Sequence, residues 1–334
     1  MHVTGGGTAK RTLRAAIVQS RPVLDDVDAA LEALAGLAAE AAGQGAELIT
    51  LGETAIPGYP AWLDCCPSAA LWDHEPTKRA RAGVFANSVA VPSARFDRLC
   101  AIARDLAVTL IVGVQERVET GPGNGTLYNA LLTIAPDGRL VNHHRKLVPT
   151  YTEKLIWGYG AGAGLRSVEA ESAKAGAYRV GSLVCWEHWM PLARQAMHDA
   201  GEHVHCAVWP TVHDRHVVAS RHYAFEGRCF VLAAGQVQAA EDLPAYLDRT
   251  PELAADPKSL VNRGGSCIIA PNGEIIAGPI WDEPGLLIAD LDLEMCDRER
   301  MTLDVSGHYA RPDVFRFEIR EPTTPRRQFD RDPS

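Results

Sequence analysis

The chain has 334 residues, 46% of them apolar, enough to bury a full core as one large domain or two ordinary ones. Its 33 basic and 42 acidic residues leave a net charge of −9, with no Lys or Arg run to follow a phosphate backbone, so neither nucleic acid nor an anionic membrane is expected as a partner. The opening MHVTGGGTAKRTLR lacks an apolar core of signal-peptide length, and no window approaches the roughly 18 apolar residues of a membrane span, so a cytoplasmic protein is expected.

The first periodic segment, LRAAIVQ (13–19), reads as a strand. It leads through Pro22 and DDVD into an Ala- and Leu-rich helix over 29–42, stopped by Gly43 and Gly45. ELITLGE (47–53) is a second strand ending on an acid. A helix over 92–107 and a strand over 108–118 repeat the pattern, and YRVGSLVC, WMPLARQAMHDA and HVHCAVW repeat it again. Strands alternating with helices place the chain in the α/β class. Two hairpins interrupt the rhythm, LLTIAPDGRLV (131–141) and SCIIAPNGEII (266–276), each turning on Pro-Asp-Gly or Pro-Asn-Gly. Their likeness suggests two similarly built sheet halves and is too short to establish a duplication. REPTTPRRQFDRDPS (320–334) reads as a tail.

The chain has 8 cysteines, no CxxC and no recognisable export signal, so free thiols are expected. Among the 12 histidines, His198, His203, His205, His213 and His216 lie close together, yet their spacing gives neither HExxH nor a Cys/His ligand set, so no metal is expected. Working residues of α/β folds gather at the C-terminal ends of strands. Glu53 ends ELITLGE, Lys146 follows a hairpin strand, and Cys185 ends GSLVC just ahead of a helix expected from Trp189. A thiol whose pKa is lowered by a cation or a helix N-terminus, a carboxylate to take its proton and a lysine to hold developing negative charge would form a workable site. Taken singly, the same residues also read as a buried thiol, a helix cap and a surface lysine.

The segments around them resemble the nitrilase, or carbon–nitrogen hydrolase, superfamily, whose members carry Glu, Lys and Cys in that chain order. HRKLVPTYTEKLIWGYG (144–160) and CWEHWMPLAR (185–194) are similar to the true nitrilase branch, and the likeness continues through RHYAFEGRCFVLAAGQ (221–236), GGSCIIAPNGEIIAGP (264–279) and GHYARPDVF (307–315). The resemblance implies a four-layered αββα sandwich, with a flexible N-terminus over 1–11, a single carbon–nitrogen hydrolase domain over 12–317 and a C-terminal tail over 318–334. It implies Glu53 as general base, Lys146 as the oxyanion-stabilising cation, Cys185 as nucleophile and Glu153 as a second acid orienting the lysine or a water. Trp186, Tyr59, Trp62 and Thr150 become substrate-binding candidates, with Trp186 foremost because it adjoins the nucleophile.

The activity implied is hydrolysis of a small organic nitrile, aromatic or arylaliphatic, to the acid and ammonia through a thioimidate and a thioester, without a cofactor. The alternatives are an amidase or carbamoylase, a cyanide- or nitrile-hydrating member of the superfamily, or a non-catalytic scaffold on the same fold. A homodimer building into a larger homo-oligomer or spiral is also implied.

Overall fold

The computed structural model describes residues 11–320. Fourteen strands and eight α-helices follow one another along them. The first half runs β1 (Thr12–Gln19), α1 (Val27–Gly43), β2 (Leu48–Leu51), α2 (Trp62–Cys65), α3 (Glu75–Ala86), β3 (Val89–Ala90), α4 (Ala94–Leu106), β4 (Thr109–Arg117), β5 (Leu127–Ile134) and β6 (Leu140–Arg145). The second runs β7 (Val168–Ser172), β8 (Gly176–Val184), α5 (Pro191–Ala200), β9 (Val204–Val208), α6 (Asp214–Gly227), β10 (Phe230–Ala234), β11 (Val237–Ala239), α7 (Pro251–Ala255), β12 (Leu260–Ile269), β13 (Ile275–Trp281), β14 (Gly285–Asp292) and α8 (Glu294–Glu299).

The strands form two sheets of seven. The first has the order β14-β1-β2-β4-β5-β6, with β3 beside β4; the second has the order β11-β12-β10-β9-β8-β7, with β13 beside β12. Each is built on three parallel strands, β1-β2-β4 in one and β8-β9-β10 in the other. Each third strand continues antiparallel, into β5 and β6 or into β12 and β13. The two hairpin turns match as the repeated sequence suggests: Gly138 and Gly273 both sit at φ 83°, where only glycine is unstrained.

Side-chain alternation along β1 explains the layers. Leu13, Ala15 and Ile17 face the second sheet and pack with Val180, Leu183, Val208 and Leu232 in the central core. Ala16 and Val18 face the other way, under Leu31 and Leu34 of α1 and Leu99 and Ala103 of α4. On the far side, α5 and α6 cover the second sheet through Met197, Tyr223 and Ala224. The result is the expected αββα sandwich. Asp26 caps α1 by accepting from the N–H groups of Asp28 and Ala29, and Ser93 caps α4 through Phe96 N–H.

Residues 1–10 and 321–334 of the expected flexible N-terminus and tail lie outside the described residues. Arg11 is engaged: its guanidinium donates to the carbonyls of Ala175 and Ala177. No helix among the described residues is long and apolar enough to cross a membrane.

Candidate active site

The two sheets bring together residues far apart in sequence. β2 stops at Leu51, and the chain turns sharply over Gly52, Glu53 and Thr54, with Thr54 at φ 47° and Glu53 N–H bonded to Trp209 C=O at 3.1 Å across the sandwich. The turn lies so close to β4 that a Cβ on Gly113 would sit 2.4 Å from Thr54 N and 2.6 Å from Gly52 O. Lys146 follows β6 directly, its N–H bonded to Asn129 C=O at 2.8 Å. Glu153 lies on a 3-10 turn, Tyr151–Leu155, where its Oε2 accepts from Thr150 N–H at 2.7 Å. Cys185 follows β8 and opens another 3-10 turn, Cys185–Trp189, at φ 53°. The helix expected from Trp189 begins two residues later, at Pro191.

The three charged groups form one buried cluster. Lys146 Nζ donates to Glu53 Oε1 at 2.8 Å and to Glu153 Oε1 and Oε2 at 2.9 and 2.7 Å. Asn129 Nδ2 donates to the same Glu53 oxygen at 2.6 Å, and Oε2 has no hydrogen-bond partner among the described residues. Tyr59 donates its hydroxyl to Glu153 Oε1 at 3.0 Å. The Cys185 thiol faces this group closely enough for Glu53, Lys146 and Glu153 each to bias its ionisation.

Burial raises the Glu53 carboxyl, Lys146 draws it back down and Glu153 pushes it up again, leaving it at about 7. Burial works against the Lys146 ammonium, but Glu53, Cys185 and Glu153 outweigh it, so the amine holds its proton more tightly than a free lysine. The sequence-based expectation for the thiol needs correction. Burial, reinforced by Glu53, drives Cys185 well above the ordinary thiol range despite the lysine, because the sulfur is desolvated and two carboxylates stand near one ammonium.

A cavity of about 1170 Å³ opens above this cluster. Cys185, Glu153, Tyr59 and Thr150 line it together with Trp186 and Trp189, whose rings meet edge to face with centroids 5.6 Å apart. Trp62 does not line it. Its indole is buried among Leu63, Ala80 and Leu127, so the expectation that it binds substrate is corrected to a packing role.

Several residues that sequence reasoning passed over hold the site together. Asn129 carries Glu53, and the Gln236 side-chain amide donates to the Glu53 carbonyl. Glu187 accepts from Leu147 N–H and Val184 N–H, both at 2.8 Å, and pairs with His144 at 2.9 Å, so it ties the nucleophile turn to the lysine loop. Burial opposes its charge, but His144 and the two N–H groups outweigh burial and hold its carboxyl below the usual range.

This arrangement, a thiol lining an open cavity with a buried acid and ammonium beside it, can be compared with known proteins. The model of the carbon–nitrogen hydrolase family matches residues 14–301. The chain belongs to that family. Among similar hydrolases, an aliphatic nitrilase from Sinorhizobium fredii is 39% identical over 311 residues, covering 92% of this chain and 96% of that one. An arylacetonitrilase from Trametes versicolor is 38% identical, covering 93% and 98%. A bifunctional nitrilase/nitrile hydratase from Lupinus angustifolius is 37% identical, covering 94% and 88%. These likenesses place this carbon–nitrogen hydrolase in the nitrilase branch, as an enzyme acting on C–N bonds. A carbon–nitrogen hydrolase from Helicobacter pylori shares its fold at a TM-score of 0.66 and 18% identity, covering 92% of this chain and 98% of that one. An amidase from Nesterenkonia sp. does so at 0.59 and 20%, covering 88% and 95%.

Proposed function

We propose that the enzyme hydrolyses an organic nitrile to the carboxylic acid and ammonia, with Cys185 as nucleophile, Glu53 as general base and acid, and Lys146, oriented by Glu153, stabilising the developing anion. The observation that carries this reading is the convergence of a thiol that lines the cavity with a buried carboxylate near neutrality and the ammonium bonded to it.

Because the thiol is neutral at rest, its proton passes to Glu53 as sulfur bonds to the nitrile carbon. Negative charge then appears on nitrogen beside Lys146, where a fixed, buried cation stabilises it more than water would. Glu53 returns the proton to that nitrogen, giving a thioimidate. Glu53 next takes a proton from water, which adds to the same carbon, and returns it to the nitrogen; it then carries the hydroxyl proton to that nitrogen as the tetrahedral adduct collapses, expelling ammonia, leaving a thioester and restoring the Glu53 carboxylate. A second water, activated in the same way, releases the acid and restores the thiol. The balance is one nitrile and two waters to one acid and one ammonia.

The Trp186–Trp189 pair supports an aromatic or arylaliphatic substituent on the nitrile. The relatives named as bifunctional nitrilase/nitrile hydratases support a second outlet, release of the amide when the tetrahedral adduct expels sulfur before ammonia. The test follows ammonia, acid and amide from phenylacetonitrile, a short aliphatic nitrile and their matched amides. Nitrile turnover that disappears in C185A, with an unchanged melting curve, is the expected result. Ordinary turnover by C185A, or hydrolysis confined to the amides, would overturn it.

A further inference from the structure

Behind the strand that delivers Cys185 lies a set of buried titratable groups that hydrolysis does not use. His188 sits on the nucleophile's own turn, Glu202 precedes β9, His205 is on β9 and Tyr223 is on α6; all four are buried. They form one line of hydrogen bonds. His188 Nδ1 lies 2.7 Å from the carbonyl oxygen of Cys185, and His188 Nε2 lies 3.0 Å from His205 Nε2. His205 Nδ1 lies 2.8 Å from Glu202 Oε1, and Tyr223 donates to Glu202 Oε2 at 2.6 Å. Aromatic rings clamp the imidazoles, His188 against Trp209 at 4.7 Å between centroids and His205 against Tyr223 at 3.9 Å. Room for the carboxyl is cut from β8 itself, since a Cβ on Gly181 would sit 1.7 Å from Glu202 Oε1.

The protons along the line can be placed from one end. A carbonyl only accepts, so His188 Nδ1 carries a hydrogen. A neutral His188 then has a bare Nε2, and His205 donates to it. A neutral His205 in turn has a bare Nδ1, and the group facing it must donate. That group is a Glu202 oxygen, which donates only as a carboxylic acid, while its other oxygen accepts from Tyr223. An ionised Glu202 would instead force an imidazolium into the aromatic stack.

We propose that Glu202 is held as a neutral carboxylic acid and acts, through His205 and His188, as a positioning residue that fixes the backbone of Cys185. The inference rests on Cys185 being the nucleophile. A non-glycine residue at φ 53° is strained and stays there only when its surroundings hold it, and the bond from His188 to its carbonyl is such a hold.

The electrostatics agree with the geometry. Burial raises the Glu202 carboxyl to about 8, lowers His188 to about 3 and carries His205 well below the ordinary histidine value. The other titratable groups that act on Glu202 or on its partner Tyr223 are His198 on α5, Cys206 on β9, Glu226 on α6 and Cys229 ahead of β10. His198 is paired with Glu226 at 3.1 Å; burial pushes both thiols upward, so Cys206 and Cys229 stay neutral where Glu202 titrates. Once Glu202 loses its proton, the line holds one hydrogen too few for its bonds and a pair of acceptors is left opposed.

The experiment uses full-length enzyme and the variants E202Q and E202A. In E202Q the amide can donate to His205 and accept from Tyr223, which reproduces the neutral acid but cannot ionise. Cys185 alkylation by iodoacetamide, followed by peptide mass from about pH 6 to about pH 10, needs no nitrile. E202Q should keep the wild-type alkylation rate at neutral pH, keep kcat within about twofold and lose any alkaline fall that comes from Glu202. E202A should lose about tenfold in both rates with KM little changed, the effect of one buried hydrogen bond left unmade.

A pH-difference infrared spectrum supplies a readout that does not depend on the Glu202 variants folding. Recorded on E53Q, which removes the other acid near neutrality, it should show a protonated carboxyl C=O stretch that disappears as pH passes about 8. Absence of that band at neutral pH would overturn the proposal, as would E202Q failing as badly as E202A, or both variants matching wild type at every pH. Alkylation and infrared results as expected in an enzyme that hydrolyses no nitrile would overturn the proposed substrate and leave the positioning role standing.

Discussion

Replacing Asn129 by leucine tests whether Glu53 works as a base whose proton affinity is set by its neighbours. The Asn129 amide donates at 2.6 Å to Glu53 Oε1, which favours the ionised carboxylate and opposes the upward push of burial. A hydrogen bond to a charged group contributes about 1.5–3 kcal/mol, and one pKa unit corresponds to about 1.4 kcal/mol, so N129L should raise Glu53 by about one to two units. The base must be ionised to accept the thiol proton. With the carboxyl at about 7, roughly half of wild-type molecules are ready at pH 7. After the shift, about a tenth to a hundredth would be, so kcat/KM at that pH should fall about five- to fiftyfold. The deficit should close as pH rises by about two to three units. Ammonia release measured across pH gives kcat/KM, and the acid limb should move upward with a plateau within about twofold of wild type. A pH-independent loss, or a limb that stays in place, would refute the reasoning.

Four further outcomes follow from the same contacts. The folded Glu53 carboxyl lies above its ordinary value of 4.5, so the wild type loses stability as pH rises through about 7; calorimetry should find E53Q stabilised more at pH 8 than at pH 5, and equal gains would contradict this. Y59F removes one donor from Glu153 while Lys146 and Thr150 N–H remain, and kcat should fall about three- to tenfold in steady-state assays. W186A opens the half-exposed aromatic wall and should lower the ratio of kcat/KM for phenylacetonitrile over a short aliphatic nitrile about three- to tenfold; an unchanged ratio would remove Trp186 from the pocket's selectivity. G113A drives a methyl against the Glu53 turn, with backbone atoms at 2.4 and 2.6 Å, and should cost about 1–3 kcal/mol in denaturant melts and about a hundredfold in kcat, so near-normal kcat would show that the turn can move without consequence.

The parts of this site legible in the sequence were those governed by strand ends. Glu53 follows LITLG and Cys185 follows GSLV at the ends of apolar strands, while Lys146 follows the largely polar LVNHHR; the rule that α/β folds work at the carboxyl ends of strands nominates all three, and the resemblance to nitrilases assigns their roles. The layers came with the resemblance: LRAAIVQ reads only as a short apolar strand, and it is the structure that buries Leu13, Ala15 and Ile17 on one face and Ala16 and Val18 on the other. Asn129 was not legible. It sits in the middle of LYNALLTI, where a polar residue reads as solvent-facing, and only its neighbours in the folded sheet turn it toward Glu53. Trp62 failed in the opposite sense, because adjacency to Tyr59 in sequence says nothing about the direction in which the short helix α2 points the indole. Glu187 stood in plain sight in CWEH, but its partners Leu147 and His144 lie some 40 residues away.

The acidity of the nucleophile shows why local sequence misjudges such a site. All eight cysteines have thiols pushed upward, and burial is the first cause in every case. A lowered pKa therefore does not set Cys185 apart. What sets it apart is what surrounds the sulfur: a carboxylate near neutrality that can take the proton, an ammonium that can receive the charge on the far side of the new bond, and an opening to the cavity. Proton transfer to Glu53 without a bound electrophile would leave a buried thiolate beside Glu153, which the low dielectric penalises. With a nitrile bound, the same transfer ends with the charge on nitrogen next to Lys146. Under the proposed chemistry, burial that makes the free thiol a poor acid also makes substrate the condition for its ionisation.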